Sequence, residues 1–197
     1  MIIIGLCGNS GSGKSTISKS FQKFGISSID ADLVYRDLTG ADSNLNRLLS
    51  YHFGAKILNS DFSLNRKALS EIVFSDKTGD SLRLLNGITH SHIIAETERR
   101  ISALEKSGAK AVVFDAPLLF ESGFNKKCNV IIAATAEKET KIKRIMLRDK
   151  IDYSKACARI DSQIPEHILE ERADYVICTN DGADIDAQIQ EIIKNII

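Results

Sequence analysis

The sequence predicts an α/β fold in which a parallel sheet of five strands is flanked by helices. Four short apolar runs rich in Ile and Val, and a weaker fifth, have the length and composition of strands buried on both faces of such a sheet. Longer segments with helical spacing separate them, and strands that alternate with helices favour right-handed parallel crossovers. The five runs are residues 2–7, 26–29, 111–114, 130–134 and 175–178.

Helical patterns fill the rest of the chain. The clearest is at the end, where Ile185, Ile189, Ile192, Ile193 and Ile196 share one face. A stretch from about residue 37 to 110 offers helical segments, at 45–53, 67–74 and 81–105, and no convincing strand. It is too long for a simple crossover, so we expect a helical insertion. Residues 144–172 are basic and helical in pattern, and we expect them to form a smaller mobile piece between two strands.

Composition excludes several classes of protein. The 197 residues include 26 Lys and Arg and 26 Asp and Glu, so the formal charge is zero. A neutral chain lacks the basic field of a general nucleic-acid binder. No stretch approaches the ~20 apolar residues of a membrane span, and the N-terminal run is too short for a secretion signal. We therefore expect a cytoplasmic protein with a small-molecule partner, without nucleic-acid or membrane partners, and the sequence predicts no particular oligomeric state.

The four cysteines, Cys7, Cys128, Cys157 and Cys178, are widely spaced and form no C-x-x-C pair. This spacing argues against a zinc knuckle or a thioredoxin-type motif. In a chain of this length it predicts reduced thiols that are mostly buried.

The strongest functional signal is GNSGSGKS at residues 8–15, a full match to G-x-x-x-x-G-K-[ST]. A predicted strand precedes it and a helical pattern follows, as this phosphate-binding motif requires. The glycines let backbone N–H groups converge on phosphate oxygens, and the helix N-terminus adds its dipole. Lys14 would reach the β- and γ-phosphates, and the Ser15 hydroxyl would bind Mg²⁺.

The motif therefore predicts ATP and Mg²⁺ as ligands, although GTPases, ATPases and kinases share it. The alternative is a glycine-rich turn without a ligand. The predicted nucleotide-binding residues are Gly11, Ser12, Gly13, Lys14, Ser15 and Thr16.

Acidic residues end two of the predicted strands, at the edge where open α/β sheets bind ligands. Asp32 could accept a proton from an acceptor hydroxyl or could cap a helix, while Asp30 suits a cap or a supporting carboxylate. Asp115 follows four apolar residues and would hold Mg²⁺ directly or through water. The apolar loop 116–123 is either core packing or a wall for a bulky ligand.

Eight sequence blocks, in order, resemble the dephospho-CoA kinase family over nearly the whole chain. The first four are GLCGNSGSGKST at 5–16, DADLVYR at 30–36, RKALSEIVFSD at 66–76 and LNGITH at 85–90. The others are VFDAPLLFESG at 113–123, RIMLRD at 144–149, ARIDSQ at 158–163 and RADYVICTNDG at 172–182. Two positions depart from the family pattern, which usually has Thr at Cys7 and Pro at Ser91.

The resemblance implies transfer of the ATP γ-phosphoryl group to the ribose 3′-hydroxyl of dephospho-CoA, with Mg²⁺. It implies a P-loop kinase core, a helical CoA-binding insertion at residues 37–110 and a lid at 144–172. The core would comprise residues 1–36, 111–143 and 173–197.

The resemblance also suggests roles for particular residues. Asp32 becomes the general base, and Arg144 and Arg148, four apart and so on one helical face, become lid arginines, with Arg159 as a possible third. Asn180 follows the last strand, where adenine could bind. The implied acceptor-binding residues are Asp32, Arg66, His90, Leu118 and Glu121. His90 and His92 could also suggest a metal pair, but without a third ligand a structural or substrate contact is favoured.

Two other functions stay open on the residues alone. One is a kinase for another small acceptor, such as a nucleoside monophosphate. The other is a GTP-dependent switch, but such proteins read guanine with N-K-x-D, and residues 179–181 lack the lysine.

Overall fold

A five-stranded parallel sheet with the order β2-β3-β1-β4-β5 organises the chain in the computed structural model, which describes residues 1–197. All four strand pairs are parallel. The strands are β1 (Ile2–Cys7), β2 (Ser27–Asp30), β3 (Ala111–Asp115), β4 (Val130–Thr135) and β5 (Tyr175–Cys178). The predicted sheet is therefore confirmed, and each strand end lies within one residue of its expected position.

Nine α-helices connect and extend the strands. They are α1 (Lys14–Lys23), α2 (Ala31–Leu38), α3 (Asn44–Phe53), α4 (Arg66–Ser75), α5 (Asp80–Lys106), α6 (Lys138–Asp149), α7 (Tyr153–Asp161), α8 (Glu166–Glu171) and α9 (Ile185–Ile196). Short 3-10 turns cover Ala55–Ile57 and Phe124–Lys127.

The register of the sheet brings acidic residues together at one edge. Asp115, the last residue of β3, pairs with Leu6 of β1 on one side and with Asp30 of β2 on the other. The strand β1 runs from this edge directly into the loop at residues 8–13. The carboxyl ends of the strands therefore place Asp30 and Asp115 where a phosphate-binding loop begins, as parallel sheets of this kind do.

The chain forms two compact units, Met1–Asp30 with Ala103–Ile197, and Ala31–Ser102. The first contains the sheet, and its core is built where apolar side chains of β1 and β4 meet α1 and α9. Ile4, Ile132 and Ile189 are fully buried there. The apolar face predicted for the last helix is thus the face that packs on the sheet.

The second unit is helical. Its core includes Leu45, Leu49 and Ile57, and its only strand-like pairing is one isolated bridge between Leu58 and Leu64. The helices expected at 45–53, 67–74 and 81–105 are present as α3, α4 and α5. Helix α5 runs without a break through Ser91, whose hydroxyl donates to the Ile88 carbonyl at 2.8 Å.

Three helices, α6 to α8, occupy the stretch between β4 and β5. The first of them begins at Lys138, before the expected boundary at residue 144. Ile142 and Ile145 of α6 pack against Ala156 of α7 to form a small core of their own. No helix of the structure has both the length and the apolar character that crossing a bilayer requires.

Candidate active site

The predicted phosphate loop joins β1 to α1, and its glycines are required by both conformation and packing. Gly11 and Gly13 have φ of 80° and 83°, in the left-handed region. A Cβ at Gly11 would lie 2.8 Å from the Lys141 carbonyl oxygen, and one at Gly13 would lie 2.7 Å from Thr179 Oγ1. The loop is therefore pressed against α6 and against the segment that follows β5.

Lys14 begins α1 and folds back over the loop. Its Nζ donates to the Gly8 carbonyl at 2.8 Å, which uses one of three ammonium donors. Ser15 and Thr16, on the first turn of α1, have exposed side chains. The positive end of α1, the lysine and these hydroxyls together suit the phosphates of a nucleotide.

One hydroxyl inside the loop has no partner. Ser12 is fully buried, and its Oγ makes no hydrogen bond within the chain. Leaving a buried hydroxyl unsatisfied costs about 1–3 kcal/mol. The hydroxyl lies on the inner side of the loop, where a Cβ at Gly8 would be 2.6 Å from it.

Thr179 and Arg144 fix the other side of the loop. Thr179, directly after β5, donates from Oγ1 to the Ser12 carbonyl at 2.8 Å. Arg144 Nη1 donates to Thr179 Oγ1 at 2.9 Å and to the Gly11 carbonyl at 3.2 Å, and Nη2 donates to the Thr179 carbonyl at 2.6 Å. Arg144 therefore ties α6 to the phosphate loop and to β5.

Arg148 lies one turn further along α6 and also reaches the loop. Its Nη2 donates to Ser10 Oγ at 2.9 Å, while its guanidinium is paired with Asp149. Hydrogen bonds to Asp149 raise the pKa of Arg148 and, in return, lower the pKa of Asp149. Arg159 of α7 pairs with the same carboxylate. The structure thus brings Arg144 and Arg148 to the loop, whereas Arg159 is held at Asp149.

The donors that the sequence predicts for a divalent cation are the Ser15 hydroxyl and the Asp115 carboxylate. Asp115 is buried, and Ser18 Oγ donates to one of its oxygens at 3.2 Å. Ser15 is exposed at the start of α1. Mg²⁺ prefers oxygen ligands and keeps several waters, so one or two protein oxygens with substrate phosphates suffice. Because hydroxyl and carboxylate oxygens are the ligands Mg²⁺ prefers, these two residues fit the ion.

Asn180 uses its side chain to hold the start of α6. Its Oδ1 accepts from the Glu137 N–H at 2.7 Å, and its Nδ2 donates to Glu137 Oε1 at 3.1 Å. The Asn180 amide is therefore engaged at both its oxygen and its nitrogen.

The loop at residues 116–123 is partly core and partly surface. Leu119 is fully buried and packs under Gly5, where a Cβ would lie 2.8 Å from its Cδ2. Leu118 is 47% exposed, and Glu121 is also exposed. The loop is thus anchored in the core by one leucine and presents the next side chains outward.

The second unit carries the remaining candidates. Asp32 is exposed on the first turn of α2. Arg66 begins α4, and its guanidinium lies 5.7 Å from the centre of the Tyr35 ring, beside an apolar cavity of about 180 Å³. His90 is half-buried on α5. His92 has its Nδ1 2.8 Å from the Ile88 carbonyl, so this histidine is engaged by its own helix.

Cys7, where the family usually has Thr, is almost wholly buried at the end of β1. Burial raises the pKa of its thiol from 9.0 to about 11. All four thiols are free. Cys7 is the one buried cysteine, and Cys178 is exposed. The expectation of mostly buried thiols is therefore met only in part: Cys128 and Cys157 are half-buried, and Cys178 is exposed because it lies on an edge strand of the sheet.

Four contacts to the phosphate loop were not anticipated from the sequence. They involve Thr179, Gln163, Ile164 and the buried Lys141. Thr179 could have been suspected, because it follows a strand at the ligand-binding edge. Gln163 closes the ARIDSQ block, but nothing in that block indicates a contact with a residue 153 positions away.

Comparison with known proteins agrees with this geometry. The family model described as dephospho-CoA kinase matches residues 2–186. A Lactobacillus johnsonii protein named dephospho-CoA kinase is 36% identical over 98% of this chain and 97% of its own length. The solved dephospho-CoA kinase from Campylobacter jejuni is 32% identical, covers 98% of this chain and 96% of its own, and superposes with a TM-score of 0.72.

A Thermus thermophilus protein of known crystal structure is 26% identical over 100% of this chain and 98% of its own, with a TM-score of 0.83. The match in sequence covers almost every element described above, including the phosphate loop and the stretch between β4 and β5. The chain belongs to the dephospho-CoA kinase family.

Proposed function

We propose that this chain transfers the γ-phosphoryl group of ATP to the ribose 3′-hydroxyl of dephospho-CoA, which gives ADP and coenzyme A. This is the final step of coenzyme A biosynthesis, and we expect such an enzyme in the cytoplasm. The observation that carries the proposal is a complete phosphate loop, held by α6 and β5, in a chain that belongs to this kinase family.

The donor phosphates would bind at the loop. Backbone N–H groups of residues 11–16 and the α1 dipole favour phosphate oxygens. The Lys14 ammonium, now on the Gly8 carbonyl, would exchange that acceptor for the β- and γ-phosphates. The backbone near Asn180 would receive adenine.

Ser15 and Asp115 would hold Mg²⁺, Ser15 directly and Asp115 directly or through water. The ion would neutralise charge on the transferred phosphate. Ser18 orients Asp115 by its hydrogen bond at 3.2 Å, so one carboxylate oxygen is fixed by α1 itself.

Asp32 would act on the acceptor. In the transfer, the acceptor oxygen forms a bond to the γ-phosphorus, its proton passes to the Asp32 carboxylate, and the bond from the γ-phosphorus to the bridging oxygen breaks to release ADP. A carboxylate in this role needs to be ionised and within reach of the hydroxyl. The further proposed acceptor contacts are Arg66, His90, Leu118 and Glu121.

Arg144 and Arg148 would act from α6, with residues 144–172 as the lid over the core and residues 37–110 as the CoA-binding insertion. Both arginines already reach the phosphate loop. Guanidinium groups at this position would stabilise charge on the transferred phosphate and help to exclude water, which is a competing acceptor.

An acceptor panel tests the function. ADP release is measured with ATP and Mg²⁺, with dephospho-CoA, AMP or shikimate as acceptor, or with none. We expect turnover with dephospho-CoA and background rates with the others, and Lys14→Ala provides the inactive control. Faster turnover with AMP would instead identify a nucleoside monophosphate kinase, and the proposed substrate would be wrong.

A further inference from the structure

Two hydrogen bonds join the phosphate loop to the turn between α7 and α8. Asn9 Nδ2 donates to the Ile164 carbonyl at 2.8 Å, and Ser10 N–H donates to Gln163 Oε1 at 3.1 Å. The bonds are reciprocal, since each segment contributes one side chain and one backbone group. They hold Asn9 and Ser10, in the first arm of the loop, which precedes Gly13 and Lys14. No helix or strand supports the backbone there.

The turn is anchored to α6 by an ion pair in which the lysine is buried and the glutamate is partly exposed. Lys141 is 4% exposed, and its Nζ donates to Glu166 Oε2 at 2.8 Å. Lysine is rarely buried unless it is paired, and breaking one partner of such a pair is costly. Glu166 Oε1 also accepts from the Ala136 N–H at 3.4 Å.

These contacts form a connected path that begins and ends at the phosphate loop. The backbone of Lys141 lies against Gly11, where a Cβ would be 2.8 Å from the Lys141 carbonyl oxygen. The path therefore runs from Ser10 to Gln163, along the turn to Glu166, across the ion pair to Lys141 and back to Gly11. Both arms of the phosphate loop are therefore contacted by one connected set of residues, in which Gln163 contacts the loop through its side-chain acceptor.

We propose that Gln163 is a positioning residue for nucleotide binding: its amide oxygen fixes the Ser10 N–H and so presets the phosphate loop for ATP. The inference rests on the proposed function in that ATP is the ligand of the loop. Gln163 acts through Ser10 and needs no contact with substrate. A preset loop loses less conformational freedom when ATP binds, which is the usual origin of affinity gained by preorganisation.

The test compares Gln163→Met with a matched control, Ser162→Ala. Methionine is similar in length but offers no comparable acceptor, whereas the exposed Ser162 hydroxyl contacts only the Arg159 carbonyl of its own helix. The ATP dissociation constant is measured by calorimetry, KM and kcat by ADP release, and Tm by thermal unfolding. We expect the dissociation constant and the KM for ATP to rise about three- to tenfold, the effect of one such hydrogen bond.

If Gln163 positions the phosphate loop, the loss of affinity should be confined to ATP. The KM for dephospho-CoA should stay within about twofold of wild type, and Ser162→Ala should match wild type throughout, as surface changes usually do. A role in folding alone would lower Tm and the active fraction without changing ATP affinity, and that result would overturn the proposal. Equal ATP affinity in Gln163→Met and wild type would overturn it too.

A second variant keeps the test decisive if Gln163→Met folds poorly. Asn9→Leu removes the other half of the reciprocal pair and should also weaken ATP binding, and unchanged ATP affinity in this variant would contradict the proposal. Because calorimetry measures ATP binding without an acceptor, these outcomes are separate from the proposed function, which fails if the wild type does not phosphorylate dephospho-CoA.

Discussion

Replacement of Thr179 by Val removes one hydroxyl at the junction of β5, α6 and the phosphate loop. Thr179 is 2% exposed, and its Oγ1 donates to the Ser12 carbonyl and accepts from Arg144 Nη1. Valine has nearly the same shape, so Thr179→Val leaves no cavity but deprives a buried carbonyl of its donor. A buried group left unsatisfied costs about 1–3 kcal/mol.

We therefore expect Thr179→Val to lose about 2 kcal/mol of stability, which lowers the Tm of a chain of this length by about 4–8 °C. Arg144 keeps the Gly11 and Thr179 carbonyls as acceptors. The substitution should therefore loosen the structure only around the lost hydroxyl. Because the lost bond holds Ser12 in the loop, the ATP dissociation constant should also rise, by about two- to twelvefold for one hydrogen bond.

Thr179→Ser is the matched control, measured by the same thermal unfolding and ATP calorimetry. It keeps the hydroxyl and loses a methyl group, at about 1 kcal/mol. Its Tm should fall, but its ATP affinity should stay within about twofold of wild type. If the serine and valine variants bind ATP equally well, the hydroxyl does not hold the loop and the reasoning is refuted.

Three further changes test other parts of the site. Lys14→Ala should keep the wild-type Tm and lower turnover by about 10²–10³-fold, as loss of one charge-stabilising donor does; wild-type turnover would contradict the donor site. Asp32→Asn should lower turnover by about 10²–10⁴-fold with little change in ATP affinity; because Asp32 lies inside the first turn of α2 and does not cap it, near-normal turnover would show that it is not the general base. Because burial raises the pKa of Cys7 from 9.0 to about 11, its stabilising contribution is present below pH 9 and is lost as pH rises to 11. Thermal unfolding should accordingly show a steeper loss of Tm over that range in wild type than in Cys7→Ala, and equal slopes would contradict this.

The three central strands were predictable because their buried residues are consecutive, whereas β2 and β5 each have a single buried residue. In β3, all five residues from Ala111 to Asp115 are buried, so the run is continuous and easily distinguished from a helix. The extent of the long helix α5 was predictable for a different reason: no Pro interrupts the segment at Ser91. The family match then added roles that spacing alone cannot give, such as that of Asp32.

The supports of the phosphate loop were not predictable, because they join residues far apart in sequence. Thr179 and Ser12 are separated by 167 positions. The four-residue spacing of Arg144 and Arg148 placed them on one helical face, but it did not reveal that this face meets the loop. Lys141 was missed for another reason: lysine is usually exposed, and its burial is evident only once Glu166 is seen beside it.

The most direct test of the central claim is the position of the new phosphate. Purified protein is incubated with ATP, Mg²⁺ and dephospho-CoA, and the product is analysed by phosphorus NMR and by digestion with a 3′-specific nucleotidase. The account predicts one product, phosphorylated on the ribose 3′-oxygen, formed in equal amount to ADP. A product phosphorylated elsewhere, or ADP release that does not depend on dephospho-CoA, would contradict it.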